Sequence, residues 1–479
     1  MKKLIILIAS VVLFGSCKKY LDINKTPNNP LSVPATTILP TATVAIAFAN
    51  SNDLDRAASA LVQHIAGVAN QTAAYDVYNL DGAFDNQWNF EIYNGAINNL
   101  QILIDANSAS SPAYSGVAKL EMAYAFSMAT DLWGDVPYSQ AGQGLKFETP
   151  AFDKVQDIYQ GSAAITSLFD LVKSGLADLD KTGTFKPGAK DDIVYQGDLT
   201  KWKRMGNTLL LKFAIQLTNS NPTLAKSTIQ SVITGNNYIN ANNLDFEVPF
   251  GASVGNQNAL YTFNNVNRTG DQMLSLRLLN LVRSLNDTVR LAKFFTKPNG
   301  VFSAFDNGST AVAPALASRS KYNTYLTGVT GEAPIRLLTN FQVNFILAEA
   351  ALVLGTPGDP NALYQAGITA SMQKVGMTAA EINTYFTTNP TVVTLAGTTD
   401  EKLKQIITQK YIAWIGNGIE AYNDYRRTGY PILALVNNPQ GDNPNVIPTR
   451  LPYTPAELSR NPNAPNPRPK TDVKLWWAK

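Results

Sequence analysis

Apolar residues recur along most of this chain at steps of three and four, the spacing that gathers them on one face of an α-helix. Val155, Ile158, Tyr159, Ile165, Leu168, Phe169, Val172, Leu176 and Leu179 form one such stripe and predict a single long helix. Trp202, Met205, Leu209, Phe213 and Leu217 form a second, and Leu338, Phe341, Phe345, Ala348 and Leu352 a third. Shorter stripes run through Tyr93, Ile97, Leu100 and Ile104, through Val117, Leu120, Tyr124 and Met128, and through Leu403, Ile406, Ile407, Tyr411 and Trp414. Stripes of this kind pack a core. The chain is expected to be mostly α, with little strand. Between Ala348 and Ile368, small residues flank a turn at Gly355 in the manner of a degenerate tetratricopeptide unit, which implies stacked helix pairs.

The two ends depart from that pattern. Met1, Lys2 and Lys3 precede an apolar run from Leu4 to Phe14, then Gly15, Ser16 and Cys17. The run is shorter than the roughly twenty residues needed to span a bilayer, and its order is that of an export signal. Leu13 to Cys17 resembles a lipobox, with Phe14 where the pattern usually has Leu. Residues 1–16 are therefore expected to be removed and Cys17 acylated, with chains such as palmitate holding the protein to a membrane. Residues 17–37, with Pro27, Pro30 and Pro34, read as an extended tether. Residues 38–479 read as one helical domain, closed by a Pro-rich arm over 437–479 that docks through Leu475, Trp476 and Trp477.

Charge and catalytic inventory narrow the function. Loss of Lys2 and Lys3 with the signal takes the formal charge from +3 to +1, which gives no electrostatic basis for binding nucleic acid. Cys17 is the only cysteine and His64 the only histidine. No thiol nucleophile or clustered zinc ligands can be assembled from them, and no phosphate loop, dinucleotide fingerprint or EF-hand loop is present. His64, between Leu61, Ile65 and Val68 on an expected helix face, reads as a buried imidazole. Asp131 and Asp135 could in principle form a hydrolase pair, but beside Gly134 and Pro137 they are expected to cap helices. No cofactor and no metal site is expected; a structural Ca²⁺ is left open.

Several segments together resemble one family. Thr130-Asp131-Leu132-Trp133-Gly134-Asp135-Val136-Pro137-Tyr138 is similar to a segment of SusD/RagB-type nutrient-binding lipoproteins. So are the run from Trp414 through Glu420, Asp424 and Arg427 to Pro431, the segment Pro448 to Tyr453 with the later Asn461, and the ending Lys474-Leu475-Trp476-Trp477. With Cys17 and Tyr20-Leu21-Asp22 at the start, the likeness runs the length of the mature chain. It implies a helical body of tetratricopeptide-like pairs with long irregular insertions, without catalytic activity. It also implies an outer-membrane, cell-surface location, a SusC-like TonB-dependent transporter as partner, and oligosaccharide or, in some branches, peptide as ligand.

The family motifs are scaffold, so the ligand site has to come from chemistry. Sugars need flat aromatic faces beside planar amides, carboxylates or guanidinium groups. Three loops offer both: one with Tyr75, Tyr78, Asn86 and Trp88, one with Tyr261, Asn264 and Arg268, and one with Arg319 and Tyr322. Two of the three are expected to converge on one exposed platform. A peptide-binding member would share the scaffold and differ in its pocket, and a lipid-anchored glycoside hydrolase would need two facing carboxylates.

Overall fold

The computed structural model describes residues 33–479; the expected signal 1–16, Cys17 and the tether as far as residue 32 lie outside the described residues. Helix begins at Ala35, inside the span expected to be extended, and runs to Ser51. Four helix pairs then succeed one another: Pro112–Trp133 with Leu168–Asp178, Leu199–Gln216 with Pro222–Gly235, Asn340–Leu354 with Pro360–Lys374, and Thr399–Ala413 with Gly418–Thr428. Each pair packs on the next, and Gly418–Thr428 closes onto Asp53–Leu61.

Local chemistry explains the ends of these helices. Pro222 and Pro360 occupy first turns, where the missing N–H costs nothing, and Asn221 and Asp359 cap them. Thr398 and Glu401 form a reciprocal capping box at the start of Thr399–Ala413. Close crossings need glycine. A Cβ at Gly116 would sit 2.8 Å from Gly175 O, and one at Gly418 would sit 2.4 Å from Ser59 N. Where Gly418 enters its helix, its N–H donates to Asp55 at 2.5 Å.

The expected long helix over 155–179 is instead two, Val155–Gln160 and Leu168–Asp178. Gly161 takes φ +79°, which ends the first, and Ser167 Oγ accepts from Asp170 N at 2.9 Å to start the second. Hydrophobic spacing carries across such a break because it does not register a glycine in the left-handed region. Leu338, counted with the third stripe, ends the strand Ile335–Leu338, and helix follows only from Asn340. Strand is confined to three two-stranded pairings, Ile65–Gly67 with Gln272–Leu274, Val136–Pro137 with Phe152–Asp153, and Phe246–Val248 with Ile335–Leu338.

The polar residues of the family segments are buried and paired. Arg427 meets both Glu349 oxygens and donates to Asp424 at 2.8 Å, and Lys410 donates to Asp424 at 3.0 Å. Burial alone would raise the Asp424 carboxyl; Lys410 and Arg427 outweigh it and hold the group below its usual value. Glu420 accepts from Lys212 at 2.5 Å and from Gln342 at 2.7 Å. Asp131 accepts from Tyr159 Oη at 2.7 Å and Asn423 at 3.0 Å, so it joins helices rather than capping one. Asp135 does cap, accepting from Val155 N at 3.0 Å. The C-terminal segment lies on this frame: Trp133 Nε1 donates to Pro452 O at 2.9 Å and Tyr453 Oη to Asp135 O at 2.6 Å. Leu475 and Trp477 are buried in the core.

Glu121, on Pro112–Trp133, ties the first pair to Ala35–Ser51, accepting from Thr43 Oγ1 at 2.7 Å while its Oε2 has no partner among the described residues. Burial pushes its carboxyl up to about 8. A group raised in the folded state contributes stability that is complete below its unfolded pKa and is lost as pH climbs through the folded one. Glu121→Gln does not titrate. Between pH 5 and pH 8 the stability difference is expected to move in the variant's favour by on the order of 2–4 kcal/mol. Urea denaturation at both pH values checks this; a pH-independent difference would contradict a neutral buried carboxyl.

Candidate functional site

The three loops singled out by their aromatic and amide content meet as backbone neighbours. Ile65–Gly67, which leads into the first loop, pairs antiparallel with Gln272–Leu274 at the end of the second. Ser275 bridges in parallel to Phe305 in the third. Ala66, Met273 and Phe305 form a small apolar cluster beneath them, with Val68 and Ala313 against it.

Polar pairs lock this arrangement. Asp76 accepts from Asn307 Nδ2 at 2.5 Å and Gly308 N at 2.6 Å, and Ser275 Oγ donates to Asn307 Oδ1 at 2.6 Å. Asn70 donates to Asp271 at 3.0 Å. Burial pushes Asp76 up to about 7 against these donors. Arg277 joins Asp306 at 2.8 Å and donates to the carbonyls of Ala434 and Leu435, which brings in the start of the C-terminal arm.

Most of the aromatic candidates point the other way. Tyr75, Tyr78, Trp88 and Tyr322 are buried, as is Asn264, which corrects the expectation that their faces meet a ligand. Tyr75 stacks on Phe84 at 5.6 Å, and Tyr78 accepts from Val436 N at 3.1 Å. Trp88 stands edge-on to Trp133 at 5.0 Å and donates to Glu457 at 3.3 Å. Tyr322 packs 5.2 Å from Phe295, and Asn264 donates to Leu260 O at 2.8 Å within its own helix. Long irregular loops have to bury their own side chains to stay ordered, and these rings do that. Tyr78 and Phe84 take φ +68° and +73°, turns that no residue pattern announces.

Asn86 and Arg268 remain exposed, and Tyr261 and Arg319 half-buried. Arg319 is committed, donating to the carbonyls of Pro314 and Gly270. Arg268 follows Asn265, Val266 and Asn267, all exposed. That leaves a guanidinium beside two amides on the surface of the second loop.

Beneath the loops lies a group that sequence reasoning missed. Arg56, on Asp53–Leu61, is 7% exposed, pairs with Asp53 and lies 3.6 Å over the Phe263 ring of the second loop. Burial lowers it to about 10, and Tyr75, Asp271, Tyr322 and Glu91 work in the opposite direction. Arg56 Nε, Tyr75 Oη and Glu91 Oε2 are buried without protein partners among the described residues. All three loops thus rest on one buried cation. The available signal was an arginine set among Leu54, Ala57, Ala58, Ala60 and Leu61, a helix with little polar face to hold it.

The residues weighed for catalysis, His64 and Asp131, are enclosed away from this surface. His64 lies in the turn after Asp53–Leu61 rather than on a helix face, and its Nε2 donates to Tyr411 O at 3.0 Å. Burial lowers its pKa to about 3, so the ring is neutral and enclosed. Asp131 is buried and fully paired. Among the described residues no group of three or more His, Cys, Asp or Glu could hold a metal ion, and no helix is long and apolar enough to cross a membrane.

A stack of helix pairs presenting a braced loop surface defines a binding protein of the helical-repeat class. The chain belongs to the SusD-like family: the family described as "Starch-binding associating with outer membrane" matches residues 27–454. That family is one of non-catalytic binding proteins. No curated protein matches the chain. Among solved structures, a chitin-binding protein superposes with TM-score 0.78 at 24% identity, covering 93% of this chain and 100% of its own. A chitin-binding SusD homolog from Flavobacterium johnsoniae gives 0.75 at 21% identity, over 93% and 97% of the two chains. A SusD homolog from Bacteroides uniformis gives 0.74 at 22%, over 93% and 98%. These likenesses establish the fold.

Proposed function

We propose that the protein is a lipid-anchored outer-membrane lipoprotein, held through Cys17 at the cell surface, that captures oligosaccharides and passes them to a TonB-dependent transporter. The family match over residues 27–454 carries this reading. Two proteins of the same fold are chitin-binding, which makes N-acetylglucosamine oligomers the first ligands to try. The surface of the second loop, with Asn265, Asn267 and Arg268, supplies the hydroxyl-pairing groups, and Arg56 with the Asp76–Asn307 pair keeps it rigid.

Calorimetric titration with chitin and starch oligosaccharides tests the assignment. Asn265→Ala, Asn267→Ala and Arg268→Ala combined are expected to weaken binding at least tenfold, about 1.4 kcal/mol. Because these side chains are exposed, the melting temperature is expected to stay as in the wild type. Unchanged affinity in the combined variant would contradict this surface as the glycan site.

A further inference from the structure

An open cleft of about 530 Å³ lies between the π-helical segment Gln87–Asn98, whose Trp88 also ends the first loop, and the loop over 137–150. That volume is within the range of small-molecule sites, and π-helical turns are concentrated at functional positions. Nothing in the family segments requires it. Of the Thr130 to Tyr138 segment only Pro137 lines it, and the lining continues through Leu145, Phe147 and Glu148, outside that segment.

The chemistry of the lining is unusual for a scaffold gap. Neighbouring polar groups are spent: Asn89 donates to Asp85 O, Gln143 donates to Ser139 O, and Glu457 accepts from Trp88 and Asn461. Asn94 and Asn98, four residues apart, line one wall, and among the described residues their side-chain amides have no protein partner. Gln140 uses only its oxygen, for Ala151 N, and Glu148 on the opposite wall is exposed. The apolar contribution comes from Tyr93, whose hydroxyl is tied to Pro137 O, and from half-buried Phe147. Leu145, 88% exposed, stands at the rim.

We propose that this cleft is a second saccharide site, taking a neutral mono- or disaccharide unit. Free amides and a carboxylate facing one another across aromatic carbon match the vicinal hydroxyls and C–H faces of a pyranose. Among the described residues no lysine or arginine lines the cleft, and Lys146, between Leu145 and Phe147, is directed at Gln143 and the Phe147 ring, which disfavours a phosphorylated or otherwise anionic ligand. An extended peptide would pair along a strand edge, and the strand residue lining the cleft is Pro137, which has no N–H and whose carbonyl accepts from Tyr93. The proposal rests on this lining and is independent of the second-loop surface.

Saturation-transfer NMR with N,N′-diacetylchitobiose, maltose and cellobiose tests it on the Asn265→Ala, Asn267→Ala, Arg268→Ala protein, in which the loop surface is disabled. Saturable transfer from at least one disaccharide is expected to persist there, and to weaken at least tenfold on adding Asn94→Ala with Asn98→Ala. Glu148→Ala, an exposed change on the opposite wall, is expected to weaken it as well, and melting temperatures identify any variant lost to misfolding. Absence of saturable transfer, or transfer indifferent to both walls, would overturn the cleft as a site. Should the loop variant keep all of the wild-type binding while the cleft variants lose it, the loop surface fails and the cleft stands.

Discussion

Arg427→Ala is expected to lower folding stability by about 3–5 kcal/mol, because it strands the Glu349 and Asp424 carboxylates in the core. Arg427 is 1% exposed and so is Glu349, so water cannot take over the lost partners. Arg427→Lys is expected to recover only part of the loss, since an ammonium cannot serve both Glu349 oxygens and Asp424 with a fixed fork. Replacing Arg427 and Glu349 together by leucine is expected to cost less than the two single alanine changes added together. Denaturant midpoints read all of these. A loss under about 1 kcal/mol for Arg427→Ala would mean that the pair is solvated.

Trp88→Ala carries the second large effect, about 3–5 kcal/mol of stability. The indole is 2% exposed and packs between Trp133, Tyr93 and Tyr453, so truncation leaves a cavity that three rings border. The same substitution on an exposed sugar platform would change stability by under about 0.5 kcal/mol and affinity by much more. Equilibrium unfolding by urea separates the two. A small stability change would return Trp88 to the surface.

That contrast shows where the sequence was readable. Amphipathic spacing located the helices because each of the four pairs must bury one stripe against the next, and Phe213, Phe345 and Tyr411 all fall in the core as their spacing requires. The segments around Asp131 and from Glu420 to Arg427 were readable as scaffold through the family resemblance, and only the fold shows their polar residues meeting one another across helices. Spacing could not report the Gly161 break, since a left-handed glycine leaves the count of apolar residues intact.

The loops were legible in composition and not in direction. Aromatic and amide residues fit an exposed sugar platform and an inward-packed loop equally well. Tyr75 turned inward toward Arg56 on the nearby Asp53–Leu61, and Tyr78 toward Val436, a contact made across 358 residues of chain. Arg56 escaped notice for the same reason: its partners Phe263, Asp271 and Tyr322 come from loops distant in sequence. Asn94 and Asn98 read as polar positions on a helix, and only the facing loop gives them a cleft.

Capture without chemistry is the central claim, and a combined glycan and peptide array, with product analysis of every hit, tests it most directly. The account predicts saturable binding of at least one oligosaccharide that is recovered at its original length. Binding confined to peptides, or shortening of the bound glycan, would contradict it.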